Sequence, residues 1–254
     1  VGTPLLCNVL TEHGMTDLAY RLLLNEEYPG WLHEVKLGAT TVWERWNSLD
    51  ENGRISSTGM NSLNHYSYGA VLEWIFRHVA GIDVTEQGPG GKMMRISPKG
   101  DHKLGSASAV YDSASGCYRC GWQIENGDQI TVTITVPFGA KAQVILPYAP
   151  DSVYHDTDNP LFETVENGIC CVKAGQYTVT YKAASPLKKS YSVDSTLEDL
   201  LAEPAIRAFL SNMMEVDMIP DLAYGLTLRQ AAEAFAGGVS AEQAQRLNVL
   251  LEEF

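Results

Sequence analysis

No basic run occurs anywhere in this chain. Its 18 lysines and arginines are outnumbered by 31 aspartates and glutamates, for a formal net charge of −13. Nothing in it could neutralise a row of phosphates, which argues against nucleic acid and against an anionic membrane surface as partners. A neutral glycan fits such a surface better. Apolar runs are also short: none approaches the ~20 residues a membrane span requires, and no secretory leader pattern is present. Val1 is not a methionine, and the chain passes straight into Gly2, Thr3 and Pro4, so the expectation is a piece cut from a longer polypeptide. Cysteine is scarce and odd in number: Cys7, Cys117, Cys120, Cys170 and Cys171. The Cys117-Tyr-Arg-Cys120 spacing is that of a metal knuckle, but no second pair with compatible partners follows it and both residues fall in a β-patterned stretch. Neither a metal nor a cofactor is therefore expected. Adjacent Cys170 and Cys171 read as reduced thiols in a strand, which favours a cytoplasmic location.

What the chain does have is 45% apolar content over 254 residues, enough for real cores in a multidomain α and β protein. Residues 5–26 read as two antiparallel helices joined at Gly14, with Leu5, Leu6, Val9 and Leu10 forming one apolar stripe and Leu18, Ala19, Leu22 and Leu23 the next. Residues 28–41 read as a Pro-Gly turn and a short extended run. A helix is expected from about residue 61 to 79, with Leu63, Tyr66, Ala70, Trp74 and His78 on the 3.6-residue period, stopped by Gly81. After a Gly- and Pro-rich linker over residues 85–91 the period switches to 2. Ile130, Val132, Ile134 and Val136 alternate with Thr131, Thr133 and Thr135, and Asn126-Gly127 ahead of them is a two-residue hairpin signal. Further strands are expected near residues 93–97, 105–111, 117–124, 142–146, 169–173 and 175–182, making an antiparallel β-sandwich. Residues 195–254 turn helical again, with capping boxes at Ser195-x-x-Glu198, Thr227-x-x-Gln230 and Ser240-x-x-Gln243. Leu197, Leu200, Leu201, Phe209, Leu210, Met213, Leu228, Phe235, Leu247 and Leu250 would supply the core of a small C-terminal helical bundle. Three domains follow: residues 1–84, 92–184 and 195–254.

The stretch with chemistry in it is Ala39-Thr40-Thr41-Val42-Trp43-Glu44-Arg45-Trp46. One carboxylate lies between two indoles and beside a guanidinium. Indole faces pack on the apolar faces of a pyranose while a carboxylate handles a proton, so this is an arrangement suited to sugar chemistry. The residues alone leave a second reading open, in which the Glu-Arg pair is solvated surface and the tryptophans are core. Downstream, Met60-Asn61-Ser62-Leu63-Asn64-His65-Tyr66-Ser67-Tyr68-Gly69-Ala70-Val71 opens a helix with polar side chains in its first turns, and Tyr28-Pro29-Gly30-Trp31-Leu32 lies upstream.

In that order these motifs, closed by Glu73-Trp74, resemble the C-terminal part of the catalytic domain of bacterial α-L-rhamnosidases, inverting glycoside hydrolases built on an (α/α) barrel. The resemblance covers residues 1 to about 185. It implies that residues 1–84 are the last helices of such a barrel, a partial (α/α) barrel in this chain. It also implies that Glu44 is the general base and that His65 contacts the rhamnose, with Asn64 beside it. Trp31, Trp43 and Trp46 are candidate stacking platforms, some of which would instead be packing. Arg45 and the Thr40-Thr41 turn would keep Glu44 ionised and pointed. The family's general acid lies in a segment with no counterpart here, so the chain by itself is expected to hydrolyse nothing. The implied partners are a rhamnose-containing glycan or glycoside and the remainder of the parent barrel. Apolar stripes left uncovered would favour self-association. Two rivals stand beside this reading. One is a carbohydrate-binding or accessory β-sandwich module using Tyr111, Tyr118 and Trp122. The other is an interaction protein centred on the C-terminal helices.

Overall fold

The computed structural model describes residues 2–50, 52–56, 59–86, 88–156, 158–187, 191–213, 218–235 and 237–251. Val1, Gln87 of the expected linker and residues 214–217, 236 and 252–254 of the expected helical domain lie outside the described residues. The chain forms two compact units, Val1–Leu187 and Lys188–Phe254.

The first unit opens with helices α1 (Thr3–Glu12) and α2 (Thr16–Leu23). Gly14 ends α1 at φ 79°, where its own N–H donates to Thr11 O and the next N–H, of Met15, reaches back to Leu10 O at 2.8 Å. This is the six-to-one closure that a left-handed residue after a helix provides. The buried face is in part the expected one: Leu10 and Ala19 are buried and Leu22 and Leu23 pack against the core, joined by Cys7 and Tyr20, whereas Leu5, Leu6 and Val9 are exposed by 63, 42 and 47% and Leu18 also faces outward. The cause is Trp74, fully buried, whose indole N–H donates to Thr11 Oγ1 at 2.8 Å and whose ring meets Tyr20 edge-on at 5.3 Å.

Residues 28–41, expected to be extended, contain a six-residue helix, α3 (Trp31–Lys36). Asn25 organises its start by donating to the carbonyls of Glu27 and Pro29 at 2.8 and 2.9 Å. A Cβ on Gly30 would meet Asn25 O at 2.7 Å, so only glycine lets the chain pass there. The following helix starts later than expected. His65 is its N-cap, and it runs as α4 (Tyr66–Gly69) and α5 (Val71–Trp74) into a π turn at Ile75–Val79. Residues 61–65 are not helical because their polar groups are spent on residues 41–48. Gly81, at φ 87°, closes the segment.

Among the described residues nine strands follow: β1 (Ile82–Val84), β2 (Met93–Ile96), β3 (Ser106–Ser113), β4 (Gly116–Glu125), β5 (Gln129–Val136), β6 (Lys141–Val144), β7 (Val165–Glu166), β8 (Ile169–Val172) and β9 (Gly175–Lys182). They make a five-stranded sheet in the order β1-β2-β6-β8-β7 and a four-stranded sheet in the order β3-β4-β5-β9. Sheet formation starts at Ile82, ahead of the residue 85–91 stretch, because β1 pairs with β2 from Ile82↔Ile96 to Val84↔Met94. The sandwich is not wholly antiparallel: β2 and β6 run parallel, with Met94 opposite Ala142. Ile130, Val132, Ile134 and Val136 all point inward as the alternation requires. Asn126 and Gly127 both take positive φ, but Asp128 joins them, making a three-residue loop closed by Glu125↔Gln129. Inward residues of both sheets, among them Met94, Ile96, Val144, Cys170, Tyr118, Trp122 and Tyr181, share one core with α1, α2 and α5. Trp122 Nε1 donates to Val79 O at 2.7 Å, Lys99 N donates to His78 O at 2.8 Å, and Arg77 forks onto Asp83. These bonds lock the π turn to the sheets.

The second unit holds α6 (Leu197–Ala202), α7 (Pro204–Ser211), α8 (Leu228–Phe235) and α9 (Ala241–Leu251). Both expected boxes at Thr227/Gln230 and Ser240/Gln243 form reciprocally. The first box is displaced by one residue: Thr196 caps α6 through the Asp199 N–H, while Ser195 Oγ accepts from Ser192 N. Thr196 and Thr227 bridge, tying the starts of α6 and α8 together. Leu197, Leu200, Leu201, Leu210 and Leu228 are core as expected, with Ile206 and Leu251 added. Met213, Phe235 and Leu250 are exposed instead.

Candidate functional site

Two segments distant in sequence zip together in the first unit. Glu44 N donates to Ser62 O at 2.9 Å and His65 N to Val42 O at 2.8 Å, while the Thr41 hydroxyl donates to Leu63 O. Ser48, fully buried, seals the far end: its hydroxyl donates to Asn61 Oδ1 at 2.6 Å, and Asn61 Nδ2 returns a bond to Ser48 O at 2.9 Å. This ladder sets the Trp-Glu-Arg-Trp and Asn-His-Tyr segments side by side. Glu44 and His65 are half-buried and Asn64 is exposed. Among the described residues no side chain hydrogen-bonds or pairs with the Glu44 carboxylate; Thr41, expected to orient it, is committed to Leu63.

His65 Nδ1 accepts from Ser67 N at 3.1 Å, as an N-cap does. In the neutral imidazole that bond assigns the proton to Nε2. Tyr66, 85% exposed, stacks parallel to the imidazole at 5.3 Å.

The tryptophans divide. Trp46 stacks on Tyr68 at 3.9 Å and 18°, and Trp31 meets Trp46 at right angles at 5.1 Å while donating its indole N–H to Tyr68 O at 3.0 Å. Both are half-buried. Trp43, also a candidate platform in sequence, is 2% exposed and packed inside, so it offers no face to a sugar. Beneath it lies Glu34, 3% exposed, whose Oε2 accepts from Trp43 N at 3.3 Å and whose Oε1 has no hydrogen-bond partner. Burial pushes this carboxyl up to about 7, and the Trp43 N–H offsets part of that rise. Burial also raises the Tyr68 phenol, with Glu34 and Tyr28 adding to the rise and Arg45 opposing it.

Sequence reasoning passed over Tyr66, Tyr68 and Glu34. Glu34 could have been found only as the residue three after Trp31 once α3 was known to be helical. Among the described residues no group of three or more His, Cys, Asp or Glu side chains could hold a metal ion, and all five cysteines are free.

Residues 1–79 match the bacterial alpha-L-rhamnosidase 6 hairpin glycosidase domain, and residues 81–159 match the bacterial alpha-L-rhamnosidase C-terminal domain. Residues 1–159 belong to the bacterial α-L-rhamnosidase family. An alpha-L-rhamnosidase of Alteromonas sp. (strain LOR) is 40% identical over 179 residues, 70% of this chain and 19% of that protein. One from Formosa agariphila is 39% identical over 167 residues, 66% of this chain and 18% of the relative. The chain therefore spans about a fifth of the length of the curated relatives it matches. Among solved structures, the Streptomyces avermitilis alpha-L-rhamnosidase complexed with L-rhamnose superposes with a TM-score of 0.62 at 35% identity, covering 71% of this chain and 17% of that one. The native enzyme from Aspergillus terreus gives 0.59 at 29% identity, covering 73% and 19%. The boundary between the two α-L-rhamnosidase domains falls at residue 80, between the π turn and β1, where the helical and sheet parts are joined.

Proposed function

We propose that this chain carries the general base and part of the sugar site of an inverting α-L-rhamnosidase. The observation that supports it is the ladder that holds Glu44 beside Asn64 and His65. In an inverting glycosidase one carboxylate takes a proton from water on one face of the sugar and an acid protonates the leaving oxygen, with the carboxyls roughly 6.5–9.5 Å apart. Glu44, half-buried and with its carboxylate uncommitted, has the access such a base needs. His65, through Nε2–H, and exposed Asn64 would bond rhamnose hydroxyls. Trp46 and Trp31, backed by Tyr68, would border the apolar side of the ring.

Among the described residues we assign no acid for this reaction. Glu34 has a pKa suited to one, but at 3% exposure it cannot reach a glycosidic oxygen. A base without its acid forgoes about 10²–10⁴-fold in rate, so the purified chain should release no rhamnose from an aryl α-L-rhamnoside. It should still bind L-rhamnose weakly. Saturation-transfer NMR tests this: a rhamnose signal that His65→Ala abolishes supports the assignment, and no signal with the wild-type chain overturns it.

The outward row Leu5, Leu6, Val9 and Leu18 fits a further helical layer, which we assign to the rest of an (α/α) barrel or, in the isolated chain, to a second copy. Five free thiols suit a reducing compartment. The sandwich-module alternative loses its aromatic platforms, because Tyr118 and Trp122 are 0 and 3% exposed and Tyr111 packs against Phe76.

A further inference from the structure

Glu34 is the one buried acidic side chain among the described residues, and its place is unusual. A leucine of similar size could fill the same volume without the desolvation cost of a carboxyl, so the carboxyl must be accounted for by what it touches. It touches the peptide N–H of Trp43, one residue before the proposed base. Three residues earlier on the same short helix, Trp31 packs on Trp46. Helix α3 thus holds the Trp-Glu-Arg-Trp segment at both ends, Trp43 through Glu34 and Trp46 through Trp31, and Glu44 and Arg45 hang between these two anchors.

We infer that Glu34 is a positioning residue for the base, fixing the backbone at Trp43 so that the placement of Glu44 depends on whether the Glu34 carboxyl is protonated. This rests on the assignment of Glu44 above. The ionised carboxyl makes a charge-assisted bond to the Trp43 N–H, and the neutral acid makes a weaker one. Its second oxygen has no partner to compensate either state. The titratable groups around it are Tyr68 from α4, with Tyr28 from the loop before α3 and Arg45 from the motif itself bordering that phenol. None of these hydrogen-bonds to Glu34. Burial raises its carboxyl to about 7, so the change in grip falls near neutrality.

The experiment is ¹H–¹⁵N NMR of the full chain across pH 5 to 8.5, for wild type, Glu34→Gln and Glu34→Leu, each with and without L-rhamnose. In wild type the amides of Trp43 and Glu44 should shift together with a midpoint near 7. Glu34→Gln keeps an acceptor for Trp43 N–H without a charge, so at every pH it should hold the amide positions of the protonated wild type and lose that transition. The imidazoles of His33 and His65 are common to both proteins, so the difference between the two is the readout. Glu34→Leu should displace the Glu44 amide and weaken the rhamnose signal. The inference is overturned if the transition persists in Glu34→Gln, if wild type shows none between pH 5 and 8.5, or if Glu34→Leu leaves the Glu44 amide in place. Should Glu34→Leu not fold, the Glu34→Gln comparison decides alone. A wild-type chain that titrates as stated yet never binds rhamnose would sink the sugar reading and leave the link from Glu34 to Trp43 standing.

Discussion

Gly81 is where the helical segment turns into the first sheet, and replacing it with alanine should be costly for two separable reasons. Its φ of 87° is a left-handed conformation, worth about 1 kcal/mol against any residue with a Cβ. The added Cβ would also lie 2.3 Å from Pro98 N and 2.4 Å from Pro98 Cα, both backbone atoms that no rotamer change can move. Relieving that overlap means parting residues 78–81 from residues 97–99, at the expense of the Ser97 N to Gly81 O and Lys99 N to His78 O bonds, both 2.8 Å. At about 1 kcal/mol each, these bring the expected loss to about 3 kcal/mol. Gly139→Ala is the matched control: φ is 78° but nothing lies within 4 Å of the new Cβ, so only the conformational part, about 1 kcal/mol, applies. Urea unfolding followed by tryptophan fluorescence reads the first unit alone, since Trp31, Trp43, Trp46, Trp74 and Trp122 all lie in it. With a slope of about 2 kcal/mol per molar, Gly81→Ala should lower the midpoint by ~1.5 M and Gly139→Ala by ~0.5 M. Equal shifts for the two variants would refute the crowding argument.

Trp122→Phe removes the indole N–H from Val79 O and leaves that carbonyl unpaired, so the same assay should show a loss of about 1–3 kcal/mol. Glu34 gives a pH dependence of defined sign. Its folded pKa of about 7 lies above the 4.5 of a free glutamate, so between these values the native state holds a proton that the unfolded chain has released. Stability should fall as pH rises from 4.5 to 7, by up to about 3 kcal/mol, and level off above. Glu34→Gln should abolish that fall, and a wild-type profile parallel to that of Glu34→Gln would contradict it. Sedimentation velocity should show self-association of the chain, weakened by Leu5→Glu with Val9→Glu; a wild-type monomer at all concentrations would remove the case for an apolar docking face.

Much of the fold was legible because its signals are local. Strict alternation marked β5, and the Thr227 and Ser240 boxes needed only residues within one turn. The motif pair could be picked out for the same reason. What failed was whatever depends on contacts made elsewhere. Helix α1 is apolar on more than one side, with Cys7 and Leu10 on one face and Leu5, Leu6 and Val9 on another, so the period could not tell which face Trp74 would cover. Strand β1 is three residues long and has no alternation to read; only β2 makes it a strand. Residues 61–64 look like a helix opening until the partners at Thr41, Glu44 and Ser48 claim their polar groups. Trp43 and Trp46 look alike in sequence, and only α3, itself hidden behind a Pro-Gly turn, separates a packed indole from an accessible one.

The parallel pairing of β2 with β6 predicts an order of assembly. Two neighbouring strands pointing the same way cannot be joined by a tight hairpin, so the chain must leave β2, build the β3-β4-β5 meander in the other sheet, and return before β6 can dock. The meander uses only near-neighbour contacts and is the natural nucleus, while the five-stranded sheet is a late arrival. Pulsed hydrogen exchange during refolding should find β4 and β5 amides protected before those of β2. The helical part bearing Glu44 is fastened to the sheets through Val79 and Gly81, so it should take its final shape only after the sheets have set.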